Sequence, residues 1–74
     1  MAYRKNPVLT KDVWKLRLER RTRGKLIGNC FDTLEEVVRT PLSQWKWFVG
    51  LDDKEVEEII TYLTKHGLEY RVKR

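Results

Sequence analysis

The chain has 74 residues but only one cysteine, one histidine, two prolines and four glycines, and each scarcity closes a route. Cys30 has no second cysteine to pair with, so a small domain here must be held by packing rather than by an internal disulfide. One Cys and one His fall short of the roughly four ligands of a structural zinc site, or the three plus water of a catalytic one. Cys30 and His66 also make a poor nucleophile-base pair. A small apolar strand position explains the first, and a cation in the last turn of a helix explains the second. The adjacent acids Glu35-Glu36, Asp52-Asp53 and Glu57-Glu58 could in principle hold magnesium beside a phosphate, but neighbouring helical residues diverge by about 100°. The first two pairs sit where helix starts favour negative charge. No Gly-x-Gly-x-x-Gly or Gly-x-x-x-x-Gly-Lys pattern is present. The expectation is a non-enzyme with no catalytic residues, no metal and no cofactor.

Long apolar runs are missing too. Nothing approaches the about 20 successive apolar residues that cross a bilayer. The stretch Met1-Ala2-Tyr3-Arg4-Lys5-Asn6-Pro7 is charged and broken by proline where a secretory signal would be apolar. A cytoplasmic location without a membrane partner is expected.

What the chain does carry is charge. Lys and Arg number 16 against 11 Asp and Glu, a net +5. The surplus is uneven: residues 1–31 hold nine basic and two acidic side chains, a local +7, whereas residues 32–74 come to −2. With 41% hydrophobic residues the chain can build one core, and its length rules out a second.

Read for pattern, residues 1–10 lack periodicity and contain Asn6-Pro7, which suggests an extended arm ahead of a single compact domain over 11–74. Trp14, Leu16 and Leu18 alternate with Lys15, Arg17 and Glu19, the period of a half-buried strand, with a helix from Thr10 as the rival. Gly24 then supplies a turn, and Lys25 to Phe31 reads as the returning strand of a hairpin, with Gly28 as a bulge. Asp32 and Glu35 resemble an acidic capping box for a helix carrying Leu34, Val37 and Val38, which Pro41 stops near Arg39 or Thr40. Gln44 to Val49 is read as a strand presenting Trp45, Trp47 and Val49, the alternative being a short helix led by Thr40 and Pro41. Asp52 and Glu55 cap a second helix with the stripe Val56, Ile59, Ile60 and Leu63. Gly67 ends that helix, and Leu68, Tyr70 and Val72 alternate as a last strand. The fold expected is a small single α+β domain of order ββα(β)αβ, its antiparallel or mixed sheet packed on helices.

Within it, a basic hairpin bearing Lys15, Arg17, Arg20, Arg21, Arg23 and Lys25, with Arg4 and Lys5 on the arm, would neutralise phosphates or enter a major groove as a two-stranded ribbon. Exposed Trp14, Trp45, Trp47 or Tyr3 could stack on unpaired bases. A non-catalytic module binding DNA or RNA is therefore the leading expectation. The alternative is a protein-binding modulator or inhibitor, of the kind phages use as accessory proteins, docking through Trp45 and Trp47 or the acidic face of the second helix. Edge strands would also allow a homodimer. The run Arg23-Gly24-Lys25-Leu26-Ile27-Gly28, followed by Phe31-Asp32-Thr33-Leu34-Glu35-Glu36, resembles the strand-to-helix passage of integrase arm-binding and plant AP2-type DNA-binding domains, whose sheet reads DNA. That likeness covers residues 23–36 and leaves the helix and strand after Gly50 without a counterpart, so the chain is not assigned to those families.

Overall fold

The computed structural model describes residues 7–73. Among these the chain is helical and has no sheet: the one β-type pairing is an isolated antiparallel bridge between Asp12 and Thr33. The α+β expectation is overturned, and with it the hairpin, the central strand and the final strand. Four α-helices follow one another: α1 (Arg20–Gly28), α2 (Leu34–Arg39), α3 (Leu42–Trp47) and α4 (Asp53–Lys65). Short 3₁₀ turns occupy Pro7–Thr10, Val13–Lys15 and Glu69–Arg71. The first of these buries Val8 and Leu9, so the packed body includes residues 7–10, which the pattern assigned to an arm. No helix of the described residues is long and apolar enough to cross a membrane.

Helix α4 forms for the reasons legible in its residues. The Asp52 carboxylate accepts the Glu55 N–H at 2.8 Å, and Glu55 Oε1 accepts the Asp52 N–H at 2.9 Å, a reciprocal capping box. Val56, Ile59 and Leu63 are buried along one stripe. Past the C-cap His66, Gly67 takes φ +71°, and Leu68 N–H returns to the Leu63 carbonyl at 2.7 Å while its side chain is buried. Helix α2 buries Leu34, Val37 and Val38 as its spacing requires. Its start differs from the expectation: Thr33 is the N-cap, and Glu36 rather than Glu35 reaches back to accept the Asp32 N–H at 2.6 Å.

The strands fail for identifiable reasons. Leu16 and Leu18 are both buried, but the backbone there bends, with Leu18 N–H on the Leu16 carbonyl at 2.9 Å, and Trp14 points away from the core while Val13 points in. Alternation recorded a chain of turns packed on a helix, not a ladder. Lys25 to Gly28 belongs to α1, whose end is a Schellman turn: Phe31 N–H bonds the Leu26 carbonyl and Cys30 N–H bonds that of Ile27, both at 3.0 Å. The left-handed position of that turn, φ +67°, is filled by Cys30, where glycine is the usual signal. At the C-terminal end Leu68 and Val72 are buried and Tyr70 is exposed, which is helical spacing rather than alternation.

Residues 42–47 adopt the helical alternative. Trp45 is then the largest fully buried side chain, and its indole N–H donates to the carbonyls of Val37 (3.1 Å) and Thr40 (2.9 Å) at the end of α2. A buried indole N–H needs such partners, and here it finds the Thr40 carbonyl and shares that of Val37 with the Thr40 N–H. Gly50, at φ +83°, reverses the chain after α3, and Leu51 N–H bonds the Trp45 carbonyl at 3.0 Å.

Trp45→Ala is expected to lower unfolding free energy by about 3–5 kcal/mol through the cavity it leaves. Trp45→Phe, which mainly strips the N–H from the two carbonyls, should lower it by about 1–3 kcal/mol. Urea denaturation followed by circular dichroism checks both, and an unchanged midpoint for Trp45→Ala would contradict the assigned core.

Candidate nucleic-acid interface

The basic residues of the N-terminal half do not form one surface; the fold divides them by what lies opposite. Helix α1 begins with Arg20 and Arg21 and has no acid in its first turn and no side-chain cap of its own, a start that opposes the helix dipole. Glu58 of α4 supplies the missing anion. Its Oε2 accepts the Glu19 N–H and its Oε1 the hydroxyl of the fully buried Thr22, each at 2.6 Å.

One turn away, Glu55 is buried with its side chain 5% exposed. Lys25 Nζ donates to its Oε1 at 2.6 Å and to the Gly50 carbonyl at 3.1 Å, while Arg21 Nε lies 3.4 Å from its Oε2. Arg21 also binds Asp52 at 3.0 Å. Burial pushes the Glu55 carboxyl up, but the Lys25 ammonium and the Asp52 amide outweigh it and hold the group below its ordinary 4.5. The Asp52 carboxyl is held below 3.8 mainly by the Glu55 amide, against a smaller opposing effect of burial and with help from the charges of Arg21 and Lys25.

Arg21 and Lys25, both expected on phosphates, are therefore half of an internal clamp between α1 and α4. Arg23 is also occupied: its Nη1 donates to the Trp14 carbonyl at 3.0 Å and reaches that of Leu16 at 3.5 Å, pinning the turn at Val13–Lys15 onto α1. Lys15, Arg17 and Arg20 are exposed, as is Lys11, and none of the four has an acidic partner within 4.0 Å among the described residues. Arg4 and Lys5 lie outside the described residues. Lys15 Nζ sits 5.1 Å from the ring centroid of Trp14, which is 59% exposed. The pattern of alternation had put Trp14 on a buried face beside Leu16, and Lys11 had carried no signal beyond its charge.

The expected docking tryptophans separate as well. Trp45 is buried and cannot meet a partner, a correction that follows from helical rather than pleated spacing. Trp47 is 87% exposed, and beside it Phe48 is 72% exposed. The acidic face of α4 is partly spent: Glu58 is turned onto α1, and Asp53 pairs with Lys46. What remains is a shallow groove of about 600 Å³ in which Arg17, Lys54 and Lys65 alternate with Glu57 and Glu58 around Tyr62, a mixture that favours no single sign of ligand. Among the described residues no three His, Cys, Asp or Glu gather to hold a metal.

Because the folded Asp52 and Glu55 titrate below their ordinary values, the clamp's contribution is complete above about pH 4.5 and is lost as pH falls through the lowered folded values. Lys25→Gln is expected to destabilise the protein by about 1–3 kcal/mol at neutral pH and to move acid unfolding to higher pH. A circular-dichroism titration that is identical for both proteins would refute the clamp. Comparison of the chain with protein-family models, with curated proteins and with solved structures finds no match.

Proposed function

We propose that the protein is a non-catalytic nucleic-acid-binding module whose phosphate contacts come from Lys11, Lys15, Arg17 and Arg20. The supporting observation is the sorting of charge. Arg21, Lys25 and Arg23 are matched by Asp52, Glu55 or backbone carbonyls, whereas these four are exposed and outside any salt bridge among the described residues. Exposed cations outside any salt bridge keep their charge available to a polyanion and release its counterions on contact. The mode differs from the ribbon in a groove that the sequence suggested, because no hairpin exists among the described residues. A homodimer by sheet extension loses its basis for the same reason.

The test is binding of labelled DNA and RNA across a series of salt concentrations. Affinity is expected to fall steeply with salt. Combined replacement of Lys15, Arg17 and Arg20 by Gln should flatten the slope of log affinity against log salt by about 0.7–0.9 for each cation removed from a phosphate, with the fold intact. Absence of binding at low salt would sink the reading.

A second reading, a modulator docking on another protein, is favoured by the adjacent exposure of Trp47 and Phe48, since large exposed aromatics are the residues that anchor interfaces. It requires a complex that survives high salt and is abolished by Trp47→Ser, a substitution expected to change stability by less than about 0.5 kcal/mol.

A further inference from the structure

Resting on the nucleic-acid reading, we infer that the ligand is unpaired: a single strand whose base stacks on Trp14 while Lys15 and Arg17 meet the flanking phosphates. Two features of the geometry lead there.

The first is that no helix of the described residues is equipped for a major groove. The exposed face of α1 holds Arg20, Gly24, Ile27 and Gly28, which leaves a single unclamped polar side chain to reach base edges. Helix α2 has six residues, its Arg39 is paired with Glu35, and no other cation lies on it, while α4 carries exposed Glu57 near its start, a carboxylate set against phosphate. Helix α3 has six residues, about 9 Å of rise, and its one cation, Lys46, is paired with Asp53.

The second is that Trp14 is built as a platform. Its ring is more than half exposed although its turn is anchored, because the Arg23 guanidinium holds the Trp14 carbonyl and Val13 beside it is fully buried with its N–H on the Asp32 carbonyl at 2.8 Å. The Arg23 bond fixes the backbone of the turn and leaves the ring to solvent, with Lys15 Nζ over it, 5.1 Å from the centroid. Arg17 lies three residues on, at most about 11 Å along the chain, within the span of one or two nucleotides for a long side chain. An exposed indole with a lysine at its ring and an exposed arginine three residues on suits an unstacked base and its backbone, and it offers little to a duplex, whose bases present edges instead of faces.

The experiment measures fluorescence-anisotropy binding of oligothymidylate, oligouridylate and a mixed-sequence duplex of equal length to the wild-type chain, Trp14→Leu and Trp14→Phe. Single strands are expected to bind more tightly than duplex. Trp14→Leu should weaken single-strand binding roughly 5- to 100-fold and duplex binding less than about twofold, and Trp14→Phe should restore most of the loss. A difference between the thymidylate and uridylate arms tells DNA from RNA. Intrinsic fluorescence adds a readout that does not need Trp14→Leu to fold: oligothymidylate should quench wild-type emission, and that component should vanish in Trp14→Phe while binding persists. Binding that is equal or stronger for duplex, or quenching that survives in Trp14→Phe, overturns the stacking site and leaves the phosphate contacts standing. Failure of every oligonucleotide to bind at low salt overturns the nucleic-acid reading itself.

Discussion

A carboxylate taken out of water must recover its lost hydration from hydrogen bonds and opposite charge, and Glu55 shows how much of this fold hangs on that requirement. One oxygen accepts both the N-cap amide of its own helix and the Lys25 ammonium of α1, so the group that starts α4 also fastens α1 to it. Glu58, one turn along, completes the first turn of α1, which has neither a cap nor an acid of its own. Helix α1 has glycines at 24 and 28 and cations at the wrong end for its dipole, and short helices of that kind are marginal in isolation. Its existence is a tertiary fact, supplied by two glutamates that lie 30 or more positions away.

That arrangement changes what the basic N-terminal half means. A run of nine cations looks like one electrostatic surface, but burial of Glu55 withdraws Arg21 and Lys25, and the anchoring of the Val13–Lys15 turn occupies Arg23 at the carbonyls. Within residues 7–31 the exposed cations without an acidic partner run from Lys11 to Arg20, along that turn and the bent stretch that leads into α1. The same sorting ties function to structure: the Arg23 hydrogen bonds position the Trp14 turn on the α1 that the Glu55 clamp holds, so removing either costs stability first, whereas removing Lys15, Arg17 or Arg20 acts on the surface alone.

Legibility followed the origin of each element's stability. Helices α2 and α4 and the Gly67 stop could be read because their determinants are local: apolar stripes, a capping box, and a glycine at the left-handed position. Helix α1 reads as a hairpin because Cys30 fills its left-handed end without being glycine, while Gly24 and Gly28 mimic turn and bulge from inside a helix. At Trp45 the balance between pleat and helix was close, and the carbonyls of Val37 and Thr40 settled it by giving the indole N–H a buried partner only in the helical geometry. Of the candidate site, the surplus charge was visible in the composition, but its division into clamp and surface was not, since pairing depends on which faces meet.

Composition and local pattern alone established the absence of an internal disulfide, the basic half, two of the helices and the core stripes they carry. Packing decided the rest. Whether an alternating segment pairs or merely turns, which tryptophan is buried, and which cations are neutralised are all set by groups distant in sequence. Each turns on desolvation: a buried amide, indole or carboxylate must find a partner, and only the assembled chain determines which one is within reach.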